Sequence, residues 1–254
     1  MWLVVSLSPF PKWIKMNKKY THLFFDLDNT LWDFETNSKK AMEETFDFFG
    51  LRNQTDFERF YKIYSNHNKE LWKGYREKEV GKKELVKKRF ENTFSDLGVS
   101  GINPEEMNNH YLMVMPGQKV LFDGVIDVLN YLKNKNYKLF IITNGFRDVQ
   151  NNKMVSSGLS PFFTKIFISE DIKTPKPGRE IFEYAVKSAN AKKSKSIMIG
   201  DDWDVDVLGA LNFGMDAIHY LNDEDQKIHI QFYGAGNSIK LYKIGFVQQL
   251  KSIL

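Results

Sequence analysis

Short apolar runs punctuate the chain, each closed by polar or turn-forming residues. Residues 21–27, 139–143, 165–169, 196–200 and 216–220 have the length and the β-branched or aromatic content of buried strands. A last strand is predicted near 241–244, with a helix from there to the end. Between the strands, apolar positions recur at helical spacing around 125–132, 148–157, 181–188 and 205–213. Strand–helix alternation with apolar strands predicts an α/β fold, a doubly wound parallel sheet covered by helices on both faces. One stretch breaks the alternation. From about 36 to 115 the periodicity is helical, with segments at 37–49, 57–72, 85–90 and after the Asn103-Pro104 start signal. This predicts an inserted helical block over 35–115, the α/β core being 16–34 and 116–254.

Composition narrows the picture. Of the 254 residues, 42% are hydrophobic and 15% aromatic, enough for a sizeable buried core. The formal charge of +4 is spread out, so it does not point to nucleic acid. The densest basic segment, Lys82-Lys83 with Lys87-Lys88-Arg89, lies on a helical pattern and reads as a solvated face. Cysteine is absent, which excludes disulfides, thiolate metal sites and cysteine nucleophiles, and fits a reducing compartment such as the cytoplasm. Residues 1–15 lack the basic start and long apolar core of a signal peptide and are too short to span a bilayer. They are expected to be an extension outside the fold, with Met16 a natural start.

The chemistry gathers at the strand ends, where ligands bind in such sheets. The first strand runs into Asp26-Leu27-Asp28-Asn29-Thr30. Alternation predicts that Asp26 and Asp28 share one side, where two like charges repel and a divalent cation would relieve them. Alone, the segment also suits an Asx turn with a helix N-cap. The other strand ends weigh against the bland reading. The second ends Thr143-Asn144-Gly145, and the fourth ends Gly200-Asp201-Asp202 with Asp204 and Asp206 following. A stiff loop, Thr174-Pro175-Lys176-Pro177, carries one lysine between them. Carboxylates, a hydroxyl with backbone amides, and an ammonium are together the parts for handling a phosphoryl group with a metal.

These four motifs, in this order and spacing, resemble those of the haloacid dehalogenase superfamily, over nearly everything after about residue 20. The helical block resembles that superfamily's helical cap. Within the superfamily, Leu71-Trp72-Lys73-Gly74, Thr143-Asn144-Gly145-Phe146, Ile168-Ser169-Glu170-Asp171 and Ile181-Phe182-Glu183-Tyr184-Ala185 are most similar to the 5′-nucleotidases acting on pyrimidine nucleotides. The resemblance implies a magnesium-dependent phosphomonoesterase working through an aspartyl-phosphate. Asp26 would be the nucleophile and Asp28 the acid and base, a carboxylate that superfamily dehalogenases lack there. Magnesium would be held by Asp26, the backbone carbonyl of Asp28, and Asp201. Asp206 is either an orienting acid at the metal site or a charge favourable at a helix N-terminus. Asp202 either touches the ion or caps the helix, and Asp204 is a solvated helix start. Thr143 and the amides of Asn144 and Gly145 would bind phosphate oxygens, and Lys176 would neutralise the phosphoryl group.

Specificity is expected in the helical block. There Trp72 and Tyr75 are candidates to stack on a base, and Lys73 or Arg76 to meet a ribose or phosphate. Phe46, Phe49, Phe60 and Tyr64 read as the block's own core, and His67 and His110 as surface or packed residues. Phe146 and Arg147 are candidates to face substrate. The expected partner is a small phosphorylated metabolite, a nucleotide first, with no nucleic acid and no membrane, and the protein a monomer or weak dimer. A sugar-phosphate phosphatase or phosphomutase of the same superfamily is the alternative, and a non-catalytic domain retaining the fold a third.

Overall fold

The structure, a computed structural model, describes residues 19–223, 225–234 and 238–254. The expected extension over 1–15 therefore lies outside the described residues. The apolar runs become strands β1 (His22–Phe25), β2 (Lys138–Thr143), β3 (Lys165–Ile168), β4 (Ser196–Gly200) and β5 (Asp216–Tyr220), followed by β6 (His229–Tyr233) and β7 (Ile239–Ile244). They form one sheet in the order β3-β2-β1-β4-β5-β7-β6. Neighbours are parallel except β6, which pairs antiparallel with β7.

Alternation along β1 shows why the sheet is covered on both faces. Phe24 packs on one side with Phe140, Met198 and Ala217, beneath α8 (Arg179–Ser188) and α9 (Leu208–Phe213), with Ile172 of the short α7 (Ser169–Ile172) packed against the same cluster. Leu23 and Phe25 pack on the other with Ile141, Ile199 and Ile218, beneath α5 (Val125–Asn134) and α6 (Arg147–Ser156). All three β1 side chains are fully buried. Each contributes about 2 kcal/mol, and a one-residue slip would exchange the two faces. β1 lies between β2 and β4, so the strand order reverses there, which opens a crevice at its carboxyl end.

The helical block consists of α1 (Phe34–Phe48), α2 (Phe57–Arg76), α3 (Lys82–Leu97) and α4 (Pro104–Val114). Each start but that of α3 has a side-chain cap: Asp33 accepts from Thr36 N at 3.0 Å, Asp56 from Arg59 N at 3.0 Å and Asn103 from Glu105 N at 2.8 Å. Phe46, Phe60, Tyr64, Phe90 and Tyr111 are buried in its interior, while Phe49 is half-buried against it. His67 pairs with Asp96 and His110 stacks on Phe48, so both histidines are surface or packing groups. Two adjacent linkers join the block to the sheet. Asp33 N donates to Val120 O and Phe122 N to Leu31 O, each at 3.1 Å. The Asn37 amide clasps both polar groups of Val120.

Two elements depart from expectation. β6 was not anticipated: its Ile230 and Phe232 side chains are half-exposed, so the run does not have the pattern of a buried strand. The helix expected over 205–213 is a π-helical turn, Trp203–Val207, leading into α9. No helix among the described residues is long and apolar enough to cross a membrane.

Candidate active site

Register pairs Phe25, the last residue of β1, with Ile141 of β2 and Ile199 of β4, so the three strands end within two residues of one another. Asp26 follows β1, its amide donating to Ile199 O at 2.8 Å, and its side chain is buried. Carboxylate oxygens of Asp26, Asp201 and Asp206 all lie within 4.8 Å of one another. Lys176 Nζ donates to Asp26 Oδ1 at 2.5 Å and to Asp206 Oδ1 at 2.6 Å, and is itself buried. The Asn144 side chain fixes that lysine's backbone, accepting from Lys176 N at 2.8 Å and donating to Lys176 O at 3.0 Å.

Asp201 is held by the Thr30 hydroxyl at 3.0 Å. Asp206 is returned to the strand end by the π-helical turn. It packs so closely on Gly200 that a Cβ there would lie 2.4 Å from Asp206 Oδ2. Asp206 lies in the first turn of that π-helix, and its buried carboxylate is paired to Lys176. Asp202 caps the turn, accepting from Asp204 N and Val205 N at 3.0 Å each, and Asp204 is exposed.

Three carboxylates face one ammonium here. Burial raises Asp26 well above the usual carboxylate range, and Lys176 only partly opposes it. Burial, then Asp206, pushes Asp201 up to about 7. Burial also raises Asp206 against the pull of Lys176. For Lys176, burial works toward the neutral form, but Asp206 and Asp26 outweigh it and raise the ammonium. Such an excess of buried oxygen charge fits a hard divalent cation, and Asp26, Asp201 and Asp206 are the side chains that could hold one.

Asp28 does not follow the alternation argument. The strand stops at Phe25, and the chain turns so that Leu31 N and Trp32 N both donate to Leu27 O. The Asp28 carboxylate leaves the acidic cluster. It accepts from Lys153 Nζ at 2.7 Å and from Gln150 Nε2 at 2.9 Å, both on α6. Burial lowers the Lys153 ammonium, with Asp28 opposing. Gln150 Nε2 also donates to Thr143 Oγ1 at 2.7 Å, and Gly145 N donates to the same oxygen at 3.1 Å. Both acceptor positions of the Thr143 hydroxyl are thus filled, which leaves its hydrogen to donate outward. Gly145 is required by proximity, since a Cβ would sit 2.4 Å from Gln150 Cδ.

A cavity of about 450 Å³ covers these groups. Asp26, Asp28, Thr143, Asn144, Gly145, Lys176, Asp201 and Asp206 line it from the sheet, and Trp72 and Arg76 from α2. Trp72 packs against Phe146 at a tilt of 32°, with ring centroids 5.0 Å apart. Tyr75 turns away to a neighbouring groove and Lys73 is exposed, so neither of these two base- or ribose-binding candidates reaches the cavity. Arg147 pairs with Asp171, and Phe146 is buried. The cavity walls also include Glu35, Ser38, Tyr61, Asn68 and Lys69, which sequence reasoning did not single out. Helical spacing of 61, 64, 65, 68, 69, 72 and 76 along α2 is the signal that marks that face.

Fold and site define a class of enzyme in which carboxylates at the ends of a parallel sheet act beneath an inserted helical block. A family model described as haloacid dehalogenase-like hydrolase matches residues 23–220, from β1 to the end of β5. The chain belongs to this family and is a hydrolase. It is 34% identical over 202 residues to the pyrimidine 5′-nucleotidase PynA of Streptococcus pneumoniae, covering 79% of this chain and 84% of that one. It is 32% identical over 206 residues to the pyrimidine 5′-nucleotidase YjjG of Escherichia coli, covering 80% and 87%. The crystal structure of the HAD-hydrolase YfnB from Bacillus subtilis, bound to magnesium, superposes with a TM-score of 0.80 at 27% identity, covering 93% of this chain and 99% of that one.

Proposed function

We propose that the protein is a magnesium-dependent phosphomonoesterase that hydrolyses nucleoside 5′-monophosphates, pyrimidine nucleotides first, through an aspartyl-phosphate on Asp26. The observation that carries this reading is Lys176 held between Asp26 and Asp206, beside Asp201 and the outward-donating Thr143 hydroxyl.

Asp26 attacks phosphorus in line while the ester oxygen departs with a proton from Asp28. Asp28, now ionised, takes a proton from water as that water's oxygen displaces Asp26 from phosphorus. Inorganic phosphate leaves, and both carboxyls return to their starting forms. Thr143 donates to a nonbridging oxygen, and Lys176 offsets charge on the phosphoryl group and Asp26. Asp26, Asp201, Asp206 and the Asp28 carbonyl would hold magnesium, which would supply charge neutralisation of the phosphoryl oxygens.

The helical block serves as the cap over 35–115, with 16–34 and 116–254 as the core. Trp72 offers a face to a base, and Arg76 a cation to the sugar or phosphate. The two relatives named for pyrimidine nucleotides support this substrate class. A screen of nucleotides, sugar phosphates and small acid phosphates, with and without chelator, tests the proposal. The expected result is chelator-sensitive release of phosphate, fastest from pyrimidine 5′-monophosphates. Preference for sugar phosphates would replace the substrate assignment and leave the chemistry. No phosphate release from any member would overturn both.

A further inference from the structure

Gln150 and Lys153 stand one turn apart on α6, on the same face of the helix. Both are buried, and both donate to Asp28, one to each carboxylate oxygen. Among the described residues, Asp28 is the one hydrogen-bond acceptor of the Lys153 ammonium. The rest of that ammonium faces rings: it lies 4.1 Å from the centroid of Trp32 and 5.3 Å from that of Phe34. Trp32 is itself pinned, its indole Nε1 donating to Gln118 O at 3.2 Å.

A lysine buried to this degree, with one acceptor and two aromatic walls, has given up its hydration for a fixed position. Solvent-exposed lysines do the opposite, extending the ammonium into water. The Lys153 slot is made by the segment that leaves β1 for the helical block, so the contact orients Asp28 relative to both the sheet and that block. Without it, the Asp28 carboxyl is free to rotate toward the acidic cluster or into the cavity.

We propose that Lys153, assisted by Gln150, is a positioning residue for proton transfer by Asp28. It locks the carboxyl so that one oxygen faces the departing ester oxygen. This rests on the reading of Asp28 as the acid and base. The role is distinct from phosphate binding: it matters most where the leaving group needs a proton to depart, and least where it does not.

The test compares single-turnover release of nucleoside from a 5′-monophosphate with release of nitrophenolate from p-nitrophenyl phosphate, in the presence of magnesium. Lys153→Met keeps the stem and removes the ammonium. Nucleoside release is expected to fall at least about tenfold more than nitrophenolate release, as it should in Asp28→Asn. In the Asp28→Asn background, adding Lys153→Met is expected to cost little further, because its effect runs through Asp28. Inhibition by inorganic phosphate reports whether the site is assembled, and Lys153→Gln serves as a second variant should the methionine protein not fold. Equal losses for both leaving groups, or a full additional loss in the Asp28→Asn background, would overturn the proposal. If Asp28→Asn itself spares nucleoside release, the acid–base reading fails, and the role of Lys153 with it.

Discussion

Asp201 makes the acidic cluster testable without any assay of turnover. Its carboxyl is pushed from an ordinary 3.8 up to about 7, by burial first and then by Asp206. Between those values the folded protein binds a proton that the unfolded chain releases, so stability falls as pH rises. Three decades of proton affinity, at ~1.4 kcal/mol each, amount to about 4 kcal/mol, of which about 3 kcal/mol is lost between pH 5 and pH 8. At about 2–4 °C per kcal/mol for a chain of this size, the thermal midpoint of chelator-treated protein should drop by ~6–12 °C across that range. Asp26 and Asp206, also raised, act in the same direction. His22 and His219, both lowered by burial, act against it, gaining stability as pH rises through their ordinary range. Comparison with Asp201→Asn isolates the carboxyl, since the histidines are common to both. The variant should show a flatter pH dependence and, at pH 8 without metal, a higher midpoint than wild type. Magnesium should raise the wild-type midpoint at pH 8 and raise that of the variant much less. A wild-type midpoint flat from pH 5 to 8, or an Asp201→Asn slope equal to wild type, would refute the reasoning.

Other variants probe separate parts of the site. Asp26→Asn should abolish phosphate release while the protein unfolds no earlier than wild type at pH 8, as read by calorimetry. Lys176→Met leaves Asp26 and Asp206 without their buried cation. It should cost about 3–5 kcal/mol in denaturant unfolding at pH 8, and less at pH 5, where the raised carboxyls protonate. Gly145→Ala drives a Cβ into Gln150 and so loosens both Thr143 and Asp28. Its kcat should fall at least about tenfold with a much smaller change in unfolding midpoint. Trp72→Ala should raise KM for a pyrimidine 5′-monophosphate while leaving inhibition by inorganic phosphate close to wild type.

Legibility tracked the range of the forces involved. The parallel strands and the four helices of the inserted block were readable because burial period, caps and breakers act within a few residues. β6 was not, because an edge strand can leave Ile230 and Phe232 half in water and so lacks the buried run. Tyr75 and Trp72 were equivalent candidates in sequence. Three residues of helix turn separate them, and only Trp72 reaches the cavity. Gln150 and Lys153 read as ordinary polar positions of an amphipathic helix. Their partner Asp28 lies 122 and 125 residues away, so nothing local marks them as buried.

What the amino-acid order determined alone was which residue types stand where: Asp26, Thr143 and Asp201 at strand ends and Lys176 in the proline-flanked loop before α8, delivered there by short-range propensity and hydrophobic burial. Packing in three dimensions decided how they divide the work. Lys176 joined Asp26 to Asp206, the chain turned Asp28 out of the acidic cluster toward α6, and Gln150 filled the acceptor positions of Thr143. Those choices depend on charge and hydrogen-bond balance in a space that water has left, and that balance exists only once distant segments meet.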